Sequence, residues 1–107
     1  MKGTHLGEFE ELILLTVGIL NGEAYGISVM DEIATHTGRR ASVSTIHTTL
    51  NRLEKKGFIE SYTGGASPTR GGRRKRLYKI TLAGQRALEH VRNQRNHLWN
   101  LMPKLSF

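Results

Sequence analysis

The stretch ASVSTIHTTLNRLEKKGFI, residues 41–59, separates into one apolar stripe and a polar remainder. The stripe steps by three, four and three residues, the spacing of one helix face, and consists of Val43, Ile46, Leu50 and Leu53. Ser42 and Ser44 are both suitable N-cap residues for such a helix, and Gly57 ends it before a strand begins. The stretch therefore predicts an amphipathic helix over residues 43–56.

The polar faces of this predicted helix carry short hydrogen-bonding side chains near its start and cations near its end. Threonine is a poor helix former, so an ordinary solvated helix seldom needs so many of them. A recognition helix has this division, because one face docks on its own core while the other enters the major groove of DNA. We predict DNA contacts from Ser42, Ser44, Thr45, His47, Thr48, Thr49, Arg52 and Lys55.

Positive charge is concentrated further along the chain, at the start of a second predicted strand. Five cations occur within seven residues there, and no acidic residue occurs from Tyr62 to Ala83. Clustered cations repel one another unless an anion neutralises them, and arginine suits both phosphates and narrow minor grooves. The alternative is a solvated loop, and both interpretations can hold, one for the free protein and one for the complex. We predict a DNA-contacting wing that uses Arg70, Arg73, Arg74, Lys75 and Arg76.

The flanking segments complete the predicted fold. Apolar periodicity predicts helices over Leu6–Leu20 and Ile27–His36, and β-branched or aromatic residues predict strands over Ile59–Thr63 and Leu77–Thr81. Thr81 is then expected to cap a last helix. This order of elements is that of a winged helix-turn-helix with one added helix. We predict a mainly α fold with a small two-stranded antiparallel β-wing. It forms one domain over 1–107, with a winged helix-turn-helix at 6–81 and a C-terminal dimerisation helix at 82–105.

The composition favours a polyanionic partner. The 107 residues include 16 Lys and Arg against 9 Asp and Glu, which gives a formal charge of +7. A basic domain of this size indicates nucleic acid first and an anionic membrane second. The chain has no cysteine, no apolar run long enough to span a membrane and no signal-peptide pattern at its N-terminus. We expect a cytoplasmic protein that binds double-stranded DNA, does not bind membranes and needs no cofactor or metal.

Two predicted helices have more apolar surface than one chain covers. The first is apolar on almost every side beyond its initial glutamates, and the last repeats apolar residues every seven positions. An intrachain pairing of these two helices is the alternative, but it leaves part of the first helix uncovered. We therefore predict a two-fold homodimer. Its interface is expected to contain Phe9, Leu12, Leu88, Val91, Arg95, Leu98, Trp99 and Met102.

The segments LGEFEELILLTVGIL, AYGISVMDEI, SVSTIHTTLNRLEKKGFI and GGRRKRLYKITLAGQRAL together resemble the PadR family of bacterial transcriptional regulators. The resemblance extends over roughly residues 6–98. It implies a winged-helix homodimer, usually a repressor, that dimerises through its first and last helices. The short C-terminus is similar to that of the subfamily with a single terminal helix. The resemblance also implies that residues 44–53 form the recognition helix and residues 73–78 the wing strand.

The chain departs from the family pattern at His47, where relatives commonly have a tyrosine that faces DNA. Histidine keeps a ring and a hydrogen-bond donor but has a shorter reach, and its charge can vary with pH. Some relatives bind flat drugs between their terminal helices through a tryptophan. Trp99 aligns about one turn later, so we expect it to pack in the dimer interface. A small-molecule effector of unknown identity remains compatible with the resemblance.

Two other classes of function are alternatives to DNA-dependent regulation. The first is a basic winged-helix module that binds RNA or protein without a preferred operator. The second is an enzyme, but the five histidines are scattered, and the sequence has no nucleotide-binding loop, nucleophile motif or paired metal ligands. We therefore predict a sequence-specific DNA-binding regulator that is not an enzyme.

Overall fold

The computed structural model describes residues 5–64 and 75–105 of the chain. Over those residues it has four helices and one two-stranded sheet, in the predicted order. The elements are α1 (Glu8–Leu20), α2 (Gly26–Thr37), α3 (Val43–Lys55), β1 (Ile59–Thr63), β2 (Arg76–Ile80) and α4 (Leu82–Leu101). The predicted fold class, mainly α with a small antiparallel β-wing, is confirmed.

The first helix begins later than its apolar pattern predicted, at Glu8 rather than Leu6. The carboxylate of Glu10 accepts a hydrogen bond from the backbone N–H of Gly7 at 2.9 Å, which fixes the N-terminal end of the helix at that point. Leu6 is nevertheless buried, so this residue before the helix still contributes to the core.

The last helix begins as predicted, because the hydroxyl of Thr81 accepts a hydrogen bond from the N–H of Gly84 at 3.0 Å. Its end was predicted wrongly: the helix stops at residue 101 instead of reaching Leu105. Pro103 disfavours helical backbone at the residue before it, and Met102 has an extended conformation with ψ of 134°. Leu105, which continues the seven-residue spacing of Val91 and Leu98, therefore lies beyond the end of the helix.

The core lies where the first three helices meet the sheet. The stripe predicted for α3 is buried from its second member onward, with Val43 at its edge. The fully buried large side chains are Ile13, Leu14, Val17, Val29, Ile46, Leu50, Leu53, Ile59 and Tyr78. Because three of these belong to α3, that helix is held on the core by one side and leaves the opposite side in solvent.

The sheet joins the wing to the rest of the domain. Strands β1 and β2 are antiparallel, with Ile59 opposite Ile80 and Thr63 opposite Arg76. The N–H of Tyr78 also donates to the carbonyl of Ala24 at 2.8 Å, and this antiparallel β-bridge places Ala24 beside β2. The wing is thus bonded on one side to the turn between α1 and α2.

The start of α4 lies close against the start of β1. A Cβ atom built on Gly84 would stand 2.1 Å from the carbonyl oxygen of Phe58, so only glycine permits this approach. The first half of the helix packs on the core through Ala87, Leu88 and Val91, whereas residues 92–101 are exposed. Among residues 5–64 and 75–105, no helix combines the length and hydrophobicity that crossing a membrane requires.

Candidate nucleic-acid interface

The exposed face of α3 begins at a side-chain cap. The hydroxyl of Ser42 accepts a hydrogen bond from the N–H of Thr45 at 3.1 Å and lies 3.0 Å from the Thr45 hydroxyl. Ser42, rather than Ser44, is therefore the N-cap residue. The cap fixes the first turn of the helix, from which a recognition helix reaches bases and phosphates.

Seven of the eight residues predicted to contact DNA from α3 lie on one continuous exposed surface, which we call the α3 face. Its members are Ser42, Ser44, Thr45, His47, Thr48, Arg52 and Lys55. The hydroxyl of Thr48 donates to the carbonyl of Ser44 at 3.0 Å and retains its acceptor lone pairs for a partner. The exposed face thus offers hydroxyls and an imidazole at its start and two cations towards its end.

The predicted exposure of Thr49 was wrong. Thr49 is buried, and its hydroxyl donates to the carbonyl of Thr45 at 2.9 Å. The residue lies three positions after Ile46 and four before Leu53, so it belongs to the apolar stripe by its spacing. The helical periodicity alone could have excluded it from the α3 face, and Thr49 is not assigned a DNA contact.

The ring of His47 lies against the N-terminal end of α2. A Cβ atom built on Gly26 would stand 2.7 Å from Nε2 and 2.9 Å from Cε1 of that ring. Because glycine has no side chain, the space beside Gly26 is open to the His47 ring, and Gly26 thereby permits the observed position of the imidazole. The sequence gave no sign of this contact, because Gly26 and His47 belong to different helices.

Of the five predicted wing contacts, the two that the structure describes are engaged with protein groups. The ammonium of Lys75 stands 4.2 Å from the centre of the Tyr25 ring, at the start of α2. The guanidinium of Arg76 donates to the carboxylate of Glu54 at 2.9 Å. Both side chains remain exposed. The other three predicted wing contacts, Arg70, Arg73 and Arg74, lie outside the described residues.

Glu54 connects α3 to both strands of the wing. Its carboxylate accepts a hydrogen bond from the hydroxyl of Ser61 in β1 at 2.6 Å and the one from Arg76 in β2. The bond from Ser61 lowers the pKa of Glu54 against the opposing effect of burial, and Arg76 lowers it further. The carboxylate is therefore held in its charged form where α3 meets the wing.

A second link fixes the C-terminal end of α3 to α1. The ammonium of Lys56 donates to the carboxylate of Glu10 at 2.8 Å and to the carbonyl of His5 at 2.6 Å. Burial raises the pKa of Glu10, but the hydrogen bonds from Lys56 and from the N–H of Gly7 outweigh it and lower the value. Lys56 is consequently occupied inside the domain, whereas its neighbour Lys55 faces solvent.

One exposed cation beside the α3 face was missing from the predicted contacts. Arg40 lies in solvent two residues before the N-cap of α3, where a helix-turn-helix approaches the DNA backbone. Its neighbour Arg39 is occupied by the carboxylate of Glu8 at 2.7 Å and lies 4.8 Å from the centre of the Phe9 ring. The adjacent arginines at positions 39 and 40 were the feature of the sequence that could have indicated this cation.

The predicted dimer residues divide into two groups. Phe9, Leu12, Leu88 and Val91 are partly buried on their own core, and the guanidinium of Arg95 donates to Glu11 of α1 at 2.9 Å. Leu98, Trp99 and Met102 are 58%, 71% and 55% exposed. Leu15 and Ile19 of α1 are exposed as well. Within residues 5–64 and 75–105, apolar side chains thus face solvent on α1 and towards the end of α4.

The described residues contain no group of three or more His, Asp or Glu side chains arranged to hold a metal ion. The cations, hydroxyls and imidazole of the α3 face and the wing are instead the groups that protein–DNA interfaces use for phosphates and base edges.

Comparison with known proteins agrees with this geometry. A family model described as the transcriptional regulator PadR-like family matches residues 14–90. A protein of Lysinibacillus sphaericus, called only "Uncharacterized protein X", is 34% identical over 87 residues, which are 79% of this chain and 75% of the relative.

Two solved structures show the same fold. A PadR family transcription regulator from Clostridium difficile has a TM-score of 0.72 and 22% identity, over 90% of this chain and 95% of that one. A PadR family transcriptional regulator from Eggerthella lenta has a TM-score of 0.67 and 26% identity, over 87% of this chain and 80% of that one.

Proposed function

Because the chain belongs to the PadR-like family of transcriptional regulators and is a DNA-binding regulator, we propose that it acts as a homodimeric repressor on a pseudo-palindromic operator. Regulators of this family are not enzymes, so the enzymatic alternative is excluded. The observation that carries the proposal is the α3 face, a set of polar and cationic side chains exposed on a helix whose other side is packed in the core.

Sequence preference is assigned to the first half of the α3 face. Thr45, His47 and Thr48 have hydroxyl or ring groups of the size that reach base edges in the major groove. Arg52 and Lys55 lie further along the helix and are assigned to phosphates. Arg40, Arg70, Arg73 and Arg74 are assigned to the backbone or the minor groove beside it, where positive charge provides affinity without selecting a sequence.

Lys75 and Arg76 are assigned a structural role within the domain, unlike the other predicted wing contacts. Each contacts a group of its own domain, through the Tyr25 ring and the Glu54 carboxylate respectively. Their charge still contributes to the attraction of DNA, because both are exposed. Their side chains are proposed to fix the base of the wing.

Dimerisation is supported by the two apolar surfaces left in solvent. A partner's α1 and α4 would cover Leu15, Ile19, Leu98 and Trp99, which no described element of the same chain covers. The dimer presents two α3 faces to two half-sites. A cytoplasmic location follows from a role on bacterial DNA. An effector that binds between the terminal helices and releases the operator is compatible with the groove between α1 and α4, which Leu15, Leu88 and Arg92 line.

Selection of bound sequences from random duplex DNA tests this function. The account predicts an enriched motif with two-fold symmetry and a preference over random duplex at fixed salt. Binding without enrichment would favour the alternative, a basic module with no operator. Enrichment of a single unrepeated half-site would support DNA recognition but contradict the dimer.

A further inference from the structure

The proposed function leaves one acidic side chain of the recognition helix unexplained. Glu54 is the single acidic residue of α3, and it lies within the last turn beside the exposed cations Arg52 and Lys55. A carboxylate near bound DNA repels phosphate and lowers affinity for every sequence. The residue therefore opposes the charge of its own surface.

The stability that the ion pair with Arg76 adds to the folded chain does not account for this carboxylate. The Glu54 side chain is 30% exposed and the Arg76 side chain 60% exposed, and ion pairs with such exposure contribute little to stability. Glu54 instead differs from the other surface carboxylates in its partners. It joins three elements, since α3 supplies the carboxylate, β1 the Ser61 hydroxyl and β2 the Arg76 guanidinium.

The site of the link is the place where the two DNA-binding parts of the domain meet. Gly64 and Lys75 close the described part of the wing through a hydrogen bond of 2.7 Å, and the cationic segment 65–74 connects them. Arg76 pairs with Thr63 at that same end of the sheet. A bond from α3 to Arg76 and Ser61 therefore sets the angle at which the wing leaves the recognition helix.

We propose that Glu54 is a positioning residue that fixes the wing relative to the recognition helix and so determines specificity for the operator. The inference rests on the proposed function. A fixed angle lets the wing and the α3 face bind one operator together, whereas a loose wing still binds phosphates of any sequence. The carboxylate lowers total affinity and raises the ratio of operator to random-DNA affinity.

The test compares Glu54→Gln with Glu60→Gln on the selected operator and on random duplex at the same salt. Glu60 is a matched control: its carboxylate lies on β1 and pairs across the sheet with Lys79 at 3.3 Å, without contacting α3. Both variants lose one negative charge, so both are expected to bind random duplex more tightly. Only Glu54→Gln is expected to reduce the operator preference, by about fivefold or more.

Arg76→Ala supplies a second, independent measurement. It removes a positive charge and weakens binding to random duplex, yet it is expected to reduce the preference by a factor similar to that of Glu54→Gln. The double variant is expected to lose no more preference than either single one, because both changes break the same link. Ser61→Ala breaks the link from β1 with the smallest change in charge and size, and serves if Glu54→Gln does not fold.

These measurements distinguish a failure of the positioning role of Glu54 from a failure of the proposed function. A native chain without any operator preference overturns the proposed function and the positioning role together. A strong native preference that persists in Glu54→Gln, or losses that simply multiply in the double variant, overturns the positioning role alone. Equal loss of preference in Glu60→Gln also contradicts it, because that change leaves the link to α3 intact.

Discussion

The imidazole of His47 on α3 occupies space that a side chain at Gly26 of α2 would need. Alanine suits a helix better than glycine, so Gly26→Ala is expected to leave the fold intact. Its methyl group would enter the position of the ring, which must rotate away. If His47 contacts the operator from its present position, Gly26→Ala weakens operator binding several-fold with no loss of thermal stability.

A double-mutant cycle with His47→Ala, measured by operator titration, checks this expectation. In the His47→Ala background the Gly26→Ala change is expected to have no further effect, since no ring remains to be displaced. A full additional loss in that background would show that Gly26 acts through something other than His47.

Single residues also show where sequence patterns were sufficient and where they were not. Ile46, Leu50 and Leu53 were predicted correctly, because burial of a helix face depends on a local period. Thr49 was misassigned because its chemistry was weighed above its spacing. The partners of Glu54 and Lys56 could not be predicted, since they lie 7 to 51 residues away in the chain and depend on how the helices pack.

At the scale of elements, α3 and the wing are expected to contribute to DNA binding in different ways. Arg73→Ala with Arg74→Ala would remove the proposed phosphate contacts of the wing, so affinity should fall for every sequence. The slope of log affinity against log salt should also decrease by roughly one unit for each phosphate that is no longer neutralised. Thr45→Ala or Thr48→Ala should instead reduce the preference for the operator, by ~1–3 kcal/mol for each base that the variant no longer recognises, and leave the slope unchanged.

Titrations of operator and random duplex at several salt concentrations make the comparison. An unchanged slope in the double arginine variant would contradict the assignment of the wing. An equal loss on both DNAs in the threonine variants would make those residues phosphate contacts.

The attachment of α3 to α1 predicts a dependence of stability on pH. The folded-state pKa of Glu10 lies below its ordinary value. Its contribution to the free energy of unfolding is therefore complete above the unfolded-state pKa of ~4.3, and it is lost as the pH falls through the folded-state pKa. Glu10→Gln is expected to lower the free energy of unfolding by about 1–2 kcal/mol at neutral pH. The difference between native and variant should shrink in acid.

Thermal unfolding of both proteins from pH 7 to pH 3 measures this difference. Lys56→Met removes the partner instead and should also lose stability at neutral pH. A gap between native and Glu10→Gln that stays constant down to pH 3 would show that the ion pair with Lys56 contributes nothing.

At the scale of the whole molecule, the exposed end of α4 is expected to hold two chains together. Leu98→Asp places a charge on the apolar surface of that helix and should convert the dimer to monomer. Leu82→Asp is a matched control, because Leu82 is 62% exposed but lies at the other end of α4. Sedimentation velocity distinguishes the two results. A native chain that is monomeric at high concentration would contradict the dimer, and so would a dimeric Leu98→Asp.

The overall architecture was predictable because each helix and strand has its own local pattern, and the order of the patterns allows few topologies. The extent of α4 was not predicted correctly, although Pro103 was a visible signal for its end. Which surface pairs with a second chain depends on what the fold leaves uncovered. In the described residues the uncovered apolar surfaces include those on α1 and at the end of α4, where Leu15, Ile19 and Trp99 are exposed.

The most direct test of the account is operator binding after insertion of about five base pairs, half of the ~10.5 base-pair helical turn, between the two half-sites. Two α3 faces held in a fixed relation can then no longer reach both half-sites from one side of the duplex. The account predicts that affinity falls nearly to that of a single half-site, and that insertion of a full turn restores part of it. Equal affinity at every spacing would contradict the claim that two copies of this chain bind the two half-sites as a rigid dimer.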